Sequence, residues 1–494
     1  MNPTEQIASP TGADPHHDRR WWILAILGIA QLMVVLDATI VNIALPSAQK
    51  ALHFSDANRQ WVITGYALAF GSLLLLGGRI GDLFGRKRTL VTGLLGFAVA
   101  SAIGGAAQSF EVLVAARALQ GAFGALLAPA ALSLLSTTFT DLRERGRAFG
   151  IYGAIAVGGG AVGLLLGGVL TEYLSWRWSL YVNLAFAIPA AIAALGLLRN
   201  QIASARPRID LPGTLTASGG LFALVYGFSN AETHSWGAPS TIGFLVAGVA
   251  LLAAFVALQR RTEHPLLPLR VVLDRNRGGS YLAVGLVGAG MFGVFLFLTY
   301  YLQQTLGFSP VKTGLAFLPM VGALMATATT ATTRLLPRTG PRPLLTLGMV
   351  LAAAGMVLLA QLGVDSTYAA HVLPGLLVVG AGLGLVMAPA MSSATLGVDA
   401  ADAGVASATV NTMQQIGGSM GTALLSTLAS SAASGYVAGK APSAALAAGA
   451  AVHGYVTAFW WSAGIFAVGA IVCGLLLRAG APQRAASAEP VLVH

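Results

Sequence analysis

Two charged residues stand inside long apolar stretches of this sequence, Asp37 and Arg117. Asp37 lies eight residues before Leu45, at the end of one apolar run, and Arg117 five residues after Val112, at the start of another. If both runs cross a bilayer, a rise of about 1.5 Å per residue puts the two groups roughly 8–12 Å below the same surface. Burial favours the neutral form of a carboxylate and a nearby cation favours its charged form. A carboxylate and a guanidinium in one layer can therefore be a structural ion pair or a proton-exchange site. Ionisable groups inside spans are costly and are functional candidates by default. Gln31, Asn42, Gln120 and Asn183 are polar neighbours in the same half of the chain. Each can hydrogen-bond a bound substrate or tie two helices together.

A second group is aromatic. One later apolar run carries Met291, Phe292, Phe295, Phe297, Tyr300, Tyr301, Gln303 and Gln304. Such residues taken singly face lipid or a neighbouring helix more often than a ligand. Together with Asn411, Gln414 and Gln415 they could line a cavity for an amphiphile. Enzymatic chemistry finds no support. The eight histidines are scattered among tails, loops and helix ends, without a paired catalytic carboxylate. The single cysteine, Cys473, excludes an internal disulfide and a Cys-based zinc cluster. A catalytic site, a metal site and an organic cofactor are accordingly not expected.

The elements that must position these residues follow from composition. Hydrophobic residues make up 56% of the chain and charged residues 9%, with a mean hydropathy of +0.75. A soluble domain carries about a quarter charged residues, so this chain belongs in lipid. A spanning helix needs about 20 mostly apolar residues. Hydropathy places such spans at 21–45, 60–78, 89–107, 112–137, 148–171, 178–198, 211–229, 240–259, 278–303, 312–333, 343–362, 371–396, 404–430 and 454–477. The first run is too long for a signal-peptide core and lacks a convincing cleavage site. With both termini inside, 22 of the 28 Lys and Arg fall on the cytoplasmic side. Only Lys50, Arg59, Arg177, Lys312 and Lys440 fall outside, which satisfies the positive-inside rule. The formal charge of +10 is thus spent on topology, and no nucleic-acid partner is expected.

An internal repeat is also legible. Leu52–Ser55 returns as Leu306–Ser309, Arg79, Gly85 and Gly93 as Arg334, Gly340 and Gly348, and Gly159, Gly160 and Gly163 as Gly417, Gly418 and Gly421. The near-constant spacing of these matches, in order, is what gives them weight. Six spans before Leu198 correspond to six after Arg277, and two more lie between. Parallel six-span repeats build one large group of secondary transporters, with the substrate path at their interface.

Local motifs extend that likeness. The loop Gly78-Arg79-Ile80-Gly81-Asp82-Leu83-Phe84-Gly85-Arg86-Lys87-Arg88 closely resembles the signature loop of the major facilitator superfamily. The segment Leu36–Pro46 resembles the first-helix motif of that superfamily's 14-spanner drug:proton antiporters, and Arg117–Gly121 their basic motif. Trp176-Arg177-Trp178, Asp210–Gly213, Gly307–Pro310 and Asn411–Gly418 resemble further segments of the same family. The likeness runs from about Trp21 to Leu477. One departure stands in the fifth span, where Gly153, Gly159, Gly163, Gly167 and Gly168 are kept but Gly160 and Leu164 occupy positions where the family has proline. The glycines allow close helix packing, whereas a proline kink is not expected.

The resemblance implies an all-α membrane protein of the major facilitator fold, two six-helix bundles plus two inserted central helices. The divisions expected are a disordered cytoplasmic segment 1–20, bundles 21–198 and 276–477, a linker 199–275 with the two extra helices, and a cytoplasmic tail 478–494. It implies a monomer of the bacterial cytoplasmic membrane that exchanges protons for small amphiphiles by alternating access, powered by the proton motive force. Gly78, Arg79, Gly81, Asp82, Gly85, Arg86, Lys87 and Arg88 would form a conformational latch with Asp82 as its key group. The alternative is a proton-coupled carrier of one defined metabolite, in either direction.

Overall fold

The computed structural model describes residues 19–55, 58–139, 141–198, 210–262, 265–395, 398 and 403–480. The expected disordered segment up to residue 18, the connector 199–209 and tail residues 481–494 lie outside the described residues. Sixteen α-helices follow one another among the described residues: α1 (Arg20–Leu52), α2 (Gln60–Phe84), α3 (Arg86–Ala106), α4 (Phe110–Thr138), α5 (Leu142–Tyr173), α6 (Trp178–Leu197), α7 (Leu211–His234), α8 (Pro239–Gln259), α9 (Leu269–Val272), α10 (Arg275–Tyr300), α11 (Pro310–Thr330), α12 (Leu336–Thr339), α13 (Pro341–Leu359), α14 (Leu373–Thr395), α15 (Ala403–Val437) and α16 (Ala444–Leu476). Single π turns extend α10, α11 and the start of α14.

Twelve of these segments are long and apolar enough to cross a membrane. Of the other two long helices, α2 has a shorter apolar stretch among the described residues, Gln60–Leu74, and α15 is richer in Ser, Thr, Gln and Gly. Helices α1, α2, α5, α7, α15 and α16 overrun their hydropathy spans by five residues or more at one end, and the other long helices match within about three. Caps fix several of the starts. Ser109, Asp210, Asp274, Ser309 and Ser443 each accept a hydrogen bond from a backbone N–H in the first turn of the helix they precede. Such caps satisfy donors that would otherwise be orphaned at a helix start. Large apolar side chains also stand exposed on the outer faces of the bundle, among them Val99, Ile192, Val246, Val249 and Ile471. Lipid solvates such surfaces and water does not.

The helices pack in two sets with the same pattern. In the first, α1 lies against α4, α5 and α6, while α3 lies against α4 and α6 and α2 against α4. In the second, α10 lies against α14, α15 and α16, while α13 lies against α14 and α16 and α11 against α14. The glycines that match in the sequence occupy matching places. Gly85 (φ +94°) separates α2 from α3 and Gly340 (φ +76°) separates α12 from α13, each in one left-handed residue that glycine adopts without strain. Gly163 packs against Leu36 and Thr39 of α1, and Gly421 against Ala289 of α10.

The two sets meet along two seams, α2 with α15 and α5 with α11. The hairpin α7–α8 covers the first seam, because α7 packs on both α2 and α15. Ser218 donates to the carbonyl of Ser72 (3.1 Å), and Thr427 donates to that of Phe228 (3.0 Å). At the second seam Gly168 abuts Pro310 and Val311, and Gly314 abuts Leu164. Farther toward the start of α5 the glycine contacts cease, since Gly153, Gly158 and Gly160 have no atom within 4 Å of a Cβ position, nor has Gly322 of α11.

Close backbone approach makes a testable distinction. A Cβ on Gly417 would lie 1.9 Å from the carbonyl oxygen of Gly285, whereas one on Gly153 meets nothing. Overpacking a tight site costs about 1–3 kcal/mol. Gly417→Ala should lower the thermal midpoint of the purified protein clearly, and Gly153→Ala should not. Equal midpoints would mean that α10 and α15 can separate freely.

Candidate functional site

Asp37 and Arg117 come together at the centre of the first helix set. Arg117 Nη1 donates to Asp37 Oδ2 at 2.5 Å, with the side chains 2% and 0% exposed. The α1 and α4 spans position them, and three further helices complete the surround. Gln120 Nε2 donates to Asp37 Oδ1 at 3.0 Å and Asn183 Nδ2, from α6, donates to the same oxygen at 2.8 Å. Gln120 Oε1 accepts from Arg117 Nη1 at 2.8 Å. Ser101 of α3 accepts from Gln120 (2.7 Å) and from Asn183 (3.3 Å). On the α2 side, Arg117 Nε donates to the carbonyl of Val62 at 3.1 Å, and the guanidinium sits 4.4 Å from the Tyr66 ring centroid.

The carboxylate therefore has three donors and the guanidinium a carboxylate, an amide oxygen, a backbone carbonyl and a ring face. That saturation is what lets an ion pair persist without water, since a buried charge needs its remaining lone pairs and protons satisfied. Two acceptors beside the pair are unfilled, the hydroxyl of Tyr66 and Asn183 Oδ1. A small, mainly apolar cavity is lined by Val41, Leu45, Val62, Leu113, Trp176 and Arg117. A buried carboxylate with one cationic partner, neutral partners and spare acceptors can take up and release a proton by re-sorting hydrogen bonds.

The other sequence-predicted residues are dispersed. Gln120 and Asn183 serve Asp37 itself. Gln31 accepts from the Tyr152 hydroxyl of α5 at 2.7 Å, and Asn42 donates to the carbonyl of Ala38 in its own helix at 2.9 Å. Phe295 packs on Phe317 (5.3 Å between centroids). Tyr300 donates to Gln49 Oε1 (2.5 Å), Tyr301 to the carbonyl of Gly363 (2.8 Å), and Gln304 Oε1 accepts from Tyr455 (3.2 Å). Asn411, Gln414 and Gln415 are half-buried on α15, where Gln415 approaches Gly71 of α2. The Phe292 side chain lies outside the described residues. Phe295, Tyr300, Tyr301 and Gln304 are thus engaged in packing and hydrogen bonds.

In the loop after α2, the Asp82 side chain likewise lies outside the described residues. Arg79 donates to the carbonyl of Pro265 (3.1 Å) in the connector, and Lys87 to that of Leu195 (2.6 Å) at the end of α6. Gly78 faces Pro129 of α4, and Gly81 faces Thr89 of α3. Arg86 is half-buried and Arg88 exposed. In α5, Gly159, Gly163 and Gly167 pack on α1, and only Gly168 of the expected glycines reaches α11. Ser101, Tyr66 and the Val62 carbonyl carry no sequence signal that separates them from ordinary span residues. Among the described residues there is no group of three or more His, Cys, Asp or Glu that could hold a metal ion.

Residues 27–422 match the family described as Major Facilitator Superfamily. The chain belongs to the major facilitator superfamily. This membrane transporter is 50% identical over 474 residues to the puromycin resistance protein pur8 of Streptomyces alboniger, covering 96% of this chain and 93% of that protein. It is 38% identical to the cephamycin export protein CmcT of Amycolatopsis lactamdurans, over 87% of this chain and 89% of that one. The tetracenomycin C resistance and export protein of Streptomyces glaucescens is 35% identical over 87% and 80%. The fold is that of a solved auto-inhibited POT-family peptide transporter (TM-score 0.68, 14% identity, 94% of this chain and 98% of that chain). It is also that of a bacterial homologue of the human lysosomal transporter Spinster in an inward-facing, unoccupied conformation (TM-score 0.63, 16% identity, 94% and 98%). This major facilitator is a multi-pass protein of the bacterial inner membrane.

The saturated pair predicts a pattern of stability. Removing one partner of a buried pair costs about 3–5 kcal/mol, because the other charge is left unpaired. Arg117→Met should therefore destabilise the transporter strongly, and Arg117→Met combined with Asp37→Asn should recover much of the loss. A double variant as unstable as the single one, by thermal unfolding in detergent, would show that the pair is not what holds this layer.

Proposed function

We propose that this transporter is a proton-coupled exporter of antibiotic-like amphiphiles, monocationic or neutral, working by alternating access. The observation that carries the coupling is the Asp37 carboxylate, fully buried and served by Arg117, Gln120 and Asn183. In this reading a proton reaches Asp37 when the helices around it part. It weakens the ion pair, and Arg117 and the amides re-sort onto the spare acceptors. The named antibiotic resistance and export proteins among its relatives support the outward direction. Puromycin, an aromatic amphiphile with one protonatable amine, is the compound to test first.

In the same reading the fourteen long helices all span the membrane, and residues 21–198 and 276–477 are the two bundles that rock against each other. Residues 199–275 form the linker, with α7 and α8 as inserted spans. Both termini face the cytoplasm, as the distribution of Lys and Arg favours, and the protein works as a monomer. The Leu52 and Tyr300 helix ends are then external. Contacts such as Tyr300 to Gln49, Gln303 to the Ile43 carbonyl (3.1 Å) and the Val311 N–H to Glu172 (2.9 Å) support a conformation closed at the outer end. Gly78–Arg88 act as a cytoplasmic latch with Asp82 as key group. The α5 glycines serve packing on α1 and α11, not a proline-type kink.

Everted vesicles loaded by a pH gradient test the coupling. Asp37→Asn keeps an oxygen that accepts from Arg117, so it should lower stability without unfolding the protein and abolish pH-driven puromycin accumulation while substrate still binds; normal uphill transport by that variant would refute the assignment. Substrate charge gives a second outcome. With one deeply buried carboxylate available, a dication enters with at least one uncompensated charge, at a cost of several kcal/mol. A rigid bisquaternary compound should be exported poorly beside a monocationic dye, and equal rates would overturn the charge limit.

A further inference from the structure

Arg59 precedes the first residue of α2 and is 7% exposed. Its guanidinium does not point into water. It reaches across to the second helix set and lies 4.4 Å from the ring centroid of Tyr300, 5.6 Å from that of Phe297 and 5.9 Å from that of Tyr455. Tyr300 and Phe297 belong to α10 and Tyr455 to α16, and all three are buried. A cation belonging to one set is thus held in an aromatic box belonging to the other. Cations are attracted by the negative faces of aromatic rings, most strongly where water is excluded. Tyr455 donates to Gln304 of the same set, which holds that ring in place, whereas the bond from Tyr300 to Gln49 crosses between the sets like the Arg59 contact.

The box and its occupant must part whenever the two sets separate at this end. The rings then present an aromatic site for a compact cation, vacated by Arg59. We propose that Phe297, Tyr300 and Tyr455 are an exit site for the cationic head of a substrate. Arg59 is the tethered competitor that occupies the site in the closed state and displaces the substrate as the outer end shuts. The inference rests on the export reading for its direction of travel, but not for the existence of the site. Neutral substrates have no use for the box, so it separates the two substrate classes at release and not at the Asp37 layer.

The test is equilibrium binding of radiolabelled benzyltrimethylammonium to the purified full-length protein in nanodiscs, which needs no transport. Arg59→Gln should bind the cation about tenfold more tightly than the unmodified protein. Arg59→Lys, which keeps a competing cation, should bind like the unmodified protein. Adding Phe297→Leu and Tyr455→Leu to Arg59→Gln should erase the gain. A gain that survives loss of both rings, or no gain in Arg59→Gln, overturns the proposal. Should the ring variants fold poorly, a second readout is reaction of Ala48→Cys, in a Cys473→Ser background, with an impermeant maleimide. Arg59→Gln should raise that labelling severalfold, and external benzyltrimethylammonium, which favours the open end it binds, should raise it further. Labelling raised by Arg59→Gln but insensitive to the cation would leave Arg59 a lock without a site and so refute the exit site. If binding behaves as stated while vesicles export nothing, the export reading alone falls.

Discussion

The ion pair of Asp37 and Arg117 sets the terms for the first helix set. A carboxylate and a guanidinium without water can coexist only if nearly every remaining donor and acceptor finds a partner. Meeting that condition takes at least one residue or carbonyl from each of α1, α2, α3, α4 and α6. Asn183 and Ser101 fix the spacing of α6 and α3 around α1, and the Val62 carbonyl fixes the start of α2 against α4. Five helices are thereby referenced to one charge pair. A change in the charge of Asp37 is felt by all of them.

What the pair does for the polar layer, glycine does for the apolar ones. Helices in lipid gain little from hiding apolar surface, since lipid tails are equally apolar, and rely on close contact. Gly417 against Gly285, Gly121 against the Tyr66 carbonyl and Gly77 against the Ala125 carbonyl are such contacts. They occur where α15 meets α10 and where α4 meets α2. The seam between α5 and α11 is looser, with glycine contacts at one end only. This asymmetry, and not a proline kink, is what the glycine-rich stretch of α5 contributes.

Periodic and compositional features were legible in the sequence. The long apolar runs became helices, and Gly85 and Gly340, matched by spacing alone, proved to be the two left-handed residues at equivalent turns. Asp37 and Arg117 stood out because charge in a span is rare. Their neutral partners did not, since Ser101 and Tyr66 look like any small or aromatic residue in an apolar run. Arg59 was legible only as an outer-loop charge, because nothing local says that the chain across the seam will offer three rings. Tyr300, Tyr301 and Gln304 suggested a cavity by type, yet each is tied by a hydrogen bond to a distant residue. Pairings between residues about 150 or more positions apart, such as Tyr300 with Gln49, are fixed by tertiary packing.

The polar layer and the aromatic box are joined by a short path. Arg117 holds the carbonyl of Val62, and the Val62 N–H in turn donates to the carbonyl of Arg59 (3.3 Å), one turn nearer the helix start. Arg117 is thus bonded both to Asp37 and to the helix start that carries Arg59. Neutralising Asp37 removes the strongest of the bonds that aim the guanidinium, and any rotation of the guanidinium acts on Val62 directly. On the other side of the pair, Ile43 lies six residues beyond Asp37 in α1, and its carbonyl accepts from Gln303 of the second set. Both α1 and α2 therefore end, on this side of the pair, in a contact with the second helix set. Coupling between sites needs a contiguous physical link whose arrangement both sites bias. Here that link is one guanidinium, one carbonyl and a single turn of α2.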